Sequence, residues 1–435
     1  MDHRRGSLPN WDALAPPSLL LFFWTSDLLI PYIYAVSRHP WERQREMMAV
    51  LRVEDMHTAL IAALLYLLCW LAGYYATRWT PKFKIGIRES KRPLSTFHLM
   101  FIFAAALALF LALYAVNPNT QFLSRMELTV GGWGKALFLS IGVLFAAFWL
   151  SAIGLLGAGR KAVPVTHVVL VLMLSFAMIG VFAPLEGRGR MLIAVLYAIV
   201  VWHYFVRPLS TLQVWSILGL GLALAIGIDY LRLSAEYSHI DGMEMAYGLA
   251  YGRQFDGALN LAVTLRSVSL GYVEHHHGAA WLADVLADIG VSNGHPDSRT
   301  LFMTEVLRVP RFQAGFPMTR PGEFYLAFGW PGVCAGAALV GAFTRVWYNW
   351  LMRRRGLGAA SPAIYFTLVM GAGLVTQKNY MFSSLVMTGV YLALIVLLAL
   401  TAYGYRLVVR ETRAAAKPLW TRQSAIARPH GRNAS

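Results

Sequence analysis

The chain has 435 residues, of which 57% are hydrophobic and only 14% charged, with a formal net charge of +16. A soluble domain carries roughly a quarter charged residues, so this composition excludes a set of water-soluble domains and points to one helical membrane bundle. The positive excess suggests a nucleic-acid partner at first sight, but its distribution along the chain gives a different account.

In chain order, residues 1–16 are polar and lack a cleavable signal pattern, so the first apolar run is expected to stay in the protein. Apolar runs of about 20 residues, the length that crosses a bilayer, then recur. They predict ten spans, at 18–36, 59–75, 97–116, 136–156, 163–182, 191–206, 213–231, 324–348, 363–375 and 382–405. Gly371, Gly373 and Gln377 weaken the ninth. Residues 232–323 form the one long connection. Apolar periodicity near 257–270 and 279–289 predicts short helices there, lying on or dipping into the bundle. The expected architecture is therefore all-α: a single polytopic transmembrane domain over 1–435 with a disordered basic tail at 414–435 near anionic headgroups. No internal repeat is evident, which disfavours transporters built from duplicated halves. Cys69 and Cys334 both sit in apolar runs and are expected to be small buried hydrophobes, not a disulfide or metal pair.

These spans sort the charges into two sets. One set of connections and span ends holds 22 basic residues against four acids, Asp2, Asp12, Glu89 and Glu411. The other holds 16 basic and 16 acidic residues, with Asp27 and Asp229 left inside spans. Such asymmetry is the positive-inside rule. It predicts a bacterial inner-membrane protein with both termini in the cytoplasm and the 232–323 loop outside. The net charge is then a topology signal, and no nucleic acid is needed to explain it.

The outer connections contain 14 arginines but only two lysines, Lys135 and Lys378. Arginine's planar fork grips phosphate through two bonds and keeps its charge at a membrane surface. An anionic ligand such as a lipid diphosphate is one reading of the cluster; codon bias with ordinary Arg–acid pairs is the other. Gly187-Arg188-Gly189-Arg190 stands just before the sixth span, where free helix N–H groups favour anions. The carboxylates Asp256 and Glu323 and the imidazoles of His275, His276, His277 and His295 are candidate proton acceptors. Glu323 also stands where a residue would cap a helix. Consecutive histidines cannot all face one ion, so His275–His277 are expected to form a solvated or acceptor-binding loop, with no metal site. Glu54 and Asp55 resemble a catalytic acid pair, but their interleaved arginines fit a salt-bridged interfacial helix better. Asp27 and Asp229 are intramembrane acids, a costly placement that is usually functional or paired.

One stretch carries a resemblance. Pro310-Arg311 is followed by Gly322-Glu323-Phe324-Tyr325-Leu326-Ala327-Phe328-Gly329-Trp330-Pro331-Gly332. This is similar to the end of the large outer loop of the O-antigen and exopolysaccharide repeat-unit polymerases, the Wzy-like family. Gly252-Arg253-Gln254-Phe255-Asp256 resembles that family's Gly-Arg-Phe-Asp segment, with one extra residue. The turn at Arg188 and Arg190 resembles its Ser-Arg turn. The likeness spans residues 180–350. It implies a metal-independent, inverting membrane glycosyltransferase of the GT-C type, without a cofactor. It also implies a donor and an acceptor glycan on polyprenyl diphosphate, and a chain-length regulator and flippase as partner proteins. The diphosphate would be held by Arg188, Arg190, Arg253, Arg311 and Arg320, which stabilise the leaving group; Asp256, Glu323 or His295 would take the acceptor proton. The alternatives are an O-antigen-ligase-like transferase acting on a lipid A core, and a transporter of lipid-linked oligosaccharide or polysaccharide.

Overall fold

The structure is a computed structural model that describes residues 12–37, 51–79, 95–116, 132–156, 164–182, 195–200, 202–233, 257–288, 296–307, 318–353, 364–365, 367–371, 389 and 393. The regular structure among these residues is helical. Helix α1 (Pro16–Trp24) starts on two prolines, which suit a first turn whose N–H groups have no helical partner. It passes through a wide π-helical turn, Thr25–Leu29, into α2 (Ile30–Ser37). Then come α3 (Val53–Ala76), α4 (Thr96–Val116), α5 (Gly132–Leu156) and α6 (Val165–Phe182). A π turn at Trp202–Val206 precedes α7 (Thr211–Leu233). In the long connection, α8 (Gly257–Ser269), α9 (Ala279–Asp288) and α10 (Ser298–Leu301) form, the last running into a π turn at Phe302–Val306. Helix α11 (Arg320–Tyr348) follows, with π turns at Asn349–Arg353 and Thr367–Gly371 beyond it.

Among the described residues, four helical stretches are long and apolar enough to cross a membrane: Val53–Ala76, Thr96–Val116, Leu139–Leu156 and Arg320–Met352. Helix α4 makes the physical case. It is apolar on every face, yet only Leu99, Phe103, Ala106 and Phe110 are buried, a single stripe at helical spacing. Phe97 and Phe101 remain 75% and 64% exposed. In water such a face would be an apolar patch far larger than soluble monomers show; lipid is the solvent that suits it. The chain is a helical membrane protein on this evidence. Ten spans were expected. Of these, most of 382–405 and parts of the sixth and ninth lie outside the described residues, as does the 414–435 tail.

The core of the fold is the contact between α3 and α11. Gly73 lies against the Ala338 backbone and Gly341 against the Trp70 carbonyl, so closely that a Cβ at either glycine would collide. Without water-driven attraction in a bilayer, such close backbone approach supplies the packing. One turn earlier on both helices, the half-buried free thiols of Cys69 and Cys334 come within hydrogen-bond reach. The two helices therefore run in the same direction. A second pairing joins α4 to α5, where Ser151 Oγ donates to the Leu99 carbonyl at 2.9 Å.

Helix α8 does not lie on the surface. Gly257 to Leu265 are buried apart from Val263, and the helix packs against α2, α3 and α11. Its first residue abuts the Asp27 carbonyl in the π turn, where a Cβ would overlap it.

Candidate functional site

The start of α11 is built from Thr319 onward. Thr319 Oγ1 accepts the Gly322 N–H at 3.3 Å and so serves as the helix cap. Glu323 takes a different role. Its Oε2 lies 2.8 Å from Arg320 Nη1, and the two side chains are 1% and 0% exposed. A buried ion needs a partner of opposite charge and hydrogen bonds to offset lost hydration. The structure thus joins two sequence candidates, Arg320 and Glu323, as a buried pair. The Tyr66 ring of α3 stacks on Phe324 beside them, with centroids 6.3 Å apart.

Nine residues into α11 the helix breaks. Phe328 and Gly329 leave helical geometry, and Gly329 has φ +65°, a conformation that favours glycine. A Cβ on Gly336 would lie 2.5 Å from the Phe324 ring. In a straight helix those positions stand about 18 Å apart, so the first part of α11 folds back against the second. The eighth span was expected to run unbroken from residue 324. The helix is instead interrupted at Phe328 and Gly329, where Pro331 lacks the N–H and the room that a continuous helix would need.

The break frees two carbonyls. Pro331 has no N–H for Ala327, and Trp330 lies beyond the kink from Leu326. The His275–His277 segment takes both. His276 N–H donates to Leu326 O and His277 N–H to Ala327 O, each at 3.1 Å. The positive φ of His277 and Gly278 shapes this docking. The backbone of the three histidines, expected to form a solvated or acceptor-binding loop, is therefore a clasp on a broken helix, with the His277 side chain exposed and those of His275 and His276 partly so. The imidazoles sit among rings: His275 on Tyr325, His276 on Trp281, His277 on Phe328. Burial, with some repulsion from its neighbours, pushes the His276 imidazole down to about 4. Among the described residues no group of three or more His, Cys, Asp or Glu could hold a metal ion.

A further acid joins this end. Asp284 of α9 is buried and accepts the Ser298 N–H at 2.9 Å and its hydroxyl at 2.6 Å, tying α9 to α10. Burial pushes its carboxyl up to about 7; repulsion from Glu323 and Asp297 adds to this and the Ser298 bonds oppose it. The sequence gives no sign of Asp284, since one acid on an amphipathic helix looks like a solvated residue. Asp55 also finds a distant partner. Its carboxylate caps α3 through the Arg52 N–H at 2.7 Å and pairs with Arg266 of α8. The interfacial-helix expectation had paired this acid with its own loop. Asp27 is buried within the π turn.

Arg188, Arg190, Arg253, Asp256, His295 and Arg311 lie outside the described residues. Two entry points bear on them. Residues 253–256 lead into α8 at Gly257, and residue 311 precedes α11 by nine positions. The starts of these helices touch, because a Cβ at Gly322 would lie 3.6 Å from Leu261 Cδ1. The chain matches no protein-family model, no curated protein and no solved structure.

Proposed function

We propose that this chain is a membrane glycosyltransferase that polymerises polyprenyl-diphosphate-linked repeat units on the periplasmic face of the bacterial inner membrane. The observation that carries the proposal is the meeting of the α8 and α11 starts. The helices that follow the two sequence segments resembling the polymerase loop, α8 after Asp256 and α11 after Arg311, pack against each other there. The motif that follows Arg311, Gly322 to Gly332, has a physical task at four positions: close approach at Gly322 and Gly332, a buried pair at Glu323, and a turn at Gly329.

In this reading Arg188, Arg190, Arg253 and Arg311 bind the donor diphosphate. Fixed guanidinium groups stabilise the charge that develops on the leaving phosphate oxygen without reorganising. The acceptor hydroxyl attacks the donor's anomeric carbon, the bond to the diphosphate oxygen breaks, and a carboxylate such as Asp256 takes the hydroxyl proton. Arg320 and Glu323 hold the start of α11 in place.

The test uses the purified full chain and a synthetic polyprenyl-diphosphate repeat unit in detergent. The expected product is a ladder of longer lipid-linked glycans, reduced about 100-fold or more in Arg311→Ala. Transfer only to a lipid A core acceptor would replace polymerase by ligase. Flux across liposomes without turnover would replace both by a transporter.

A further inference from the structure

The far end of α11 is joined to a second buried polar cluster that the proposed chemistry does not use. Its centre is Asp12, in the segment just before α1. Asp12 Oδ1 accepts the Leu14 N–H at 3.0 Å. Oδ2 accepts the Tyr204 hydroxyl at 2.9 Å and the Tyr348 hydroxyl at 2.7 Å. His203 Nε2 lies 3.1 Å from Oδ1, off the line of a good hydrogen bond. The Leu209 N–H donates to His203 Nδ1 at 2.9 Å, which leaves the ring's proton on Nε2, facing Asp12. Tyr365 closes the cluster by donating to the Leu14 carbonyl at 2.9 Å.

Every one of these partners offers a proton to Asp12. A backbone N–H can only donate, and both hydroxyls and the imidazole are turned the same way. A carboxyl proton would have to displace one of them, so the geometry calls for an ionised acid. Burial acts to raise this carboxyl, but the close His203 ring and the bonds from Tyr348 and Leu14 outweigh it and hold the group below its usual value. A buried anion without a countercharge of full strength is costly if any donor is lost. Its carboxylate joins three stretches of chain, the lead into α1, the Trp202–Val206 turn and the end of α11, and Tyr365 is attached through the Leu14 carbonyl.

We infer that Asp12 is a charge latch: as an anion it locks the lead into α1, the Trp202–Val206 turn and the end of α11 together, and its neutralisation releases this end of the bundle. The latch has no part in the transfer chemistry, and it stands or falls independently of the glycosyltransferase reading. Its consequence is a bundle held shut at the end away from the α11 break.

The experiment places a reporter beside the latch. Ala13, buried next to Asp12, is replaced in full-length protein lacking its native thiols (Cys69→Ala, Cys334→Ala, Ala13→Cys). Labelling by a water-soluble maleimide is timed in detergent. The parent is expected to label slowly, and Asp12→Asn to label about tenfold or more faster, because local opening exposes the site. A monodisperse Asp12→Asn protein labelling at the parent rate would overturn the latch. Should that variant aggregate, Tyr348→Phe and Tyr204→Phe decide, since each keeps the carboxylate and removes one donor. Each is expected to speed labelling about threefold or more, and unchanged rates in both would equally overturn it.

Discussion

Single side chains at the end of the bundle that carries the long connection are governed by burial more than by charge type. Arg320 and Glu323 neutralise each other inside protein, so their value lies in fixing geometry, and removing one partner would strand the other's charge. Asp284 has a measurable consequence. Burial pushes its folded carboxyl up to about 7 from an ordinary 3.8. A carboxyl raised on folding contributes stability that is complete below the unfolded value and is lost as pH rises through the folded one. The α9–α10 tie should therefore weaken between about pH 4 and pH 7. Hydrogen exchange across residues 279–288 is expected to quicken over that range, and Asp284→Asn, which still accepts from Ser298, is expected to flatten the dependence. Equal pH dependence in both proteins would remove Asp284 as the cause.

At the level of elements, the broken α11 and the histidine clasp form one unit. Each explains the other: the break exposes carbonyls, and the clasp satisfies them. Gly329 is the hinge of this unit, held at φ +65°. Gly329→Ala is expected to cost about 1 kcal/mol or more, since a Cβ there is strained and would also stand 3.4 Å from His275 Nε2. The readout is proteolysis of residues 270–280, which should rise if the clasp loosens. An unaltered cleavage rate with unchanged thermal stability would show that the break does not depend on glycine. The α3–α11 contact belongs to the same scale. Gly73 and Gly341 let two parallel helices meet backbone to backbone, and this contact fixes where the break sits relative to Tyr66.

For the whole molecule, polar residues gather at two ends of an apolar bundle. The Arg52–Asp55–Arg266 tie, the α11 start and the clasp lie at one end, and the Asp12 cluster at the other. Under the proposed topology the first end faces the periplasm. In the thiol-free background, Tyr272→Cys and Thr77→Cys offer exposed or half-exposed reporters at opposite ends. An impermeant maleimide added to intact cells should label the first and spare the second. The reverse pattern would invert the topology and with it the proposed face of action.

Much of the helical framework was legible in the sequence, because a span is encoded by a local run of apolar residues. The runs at 97–116 and 163–182 correspond within two residues to α4 and α6. Periodicity likewise located α8 and α9 in the long connection. The start of α3 came six residues earlier than the apolar run, because Asp55 caps a polar first turn that hydropathy cannot register. The site was less legible. Arg320 and Glu323 stood out as charged residues beside a motif, but their pairing could not be distinguished from ligand binding without burial. The clasp, the Asp284–Ser298 tie and the Asp12 cluster join residues as far as 351 positions apart. Sequence by itself determined which segments prefer lipid, since that is a sum over neighbouring side chains. Only the tertiary structure decided which polar groups those segments enclose together, because a hydrogen bond in a low-dielectric interior depends on distance in space and not along the chain.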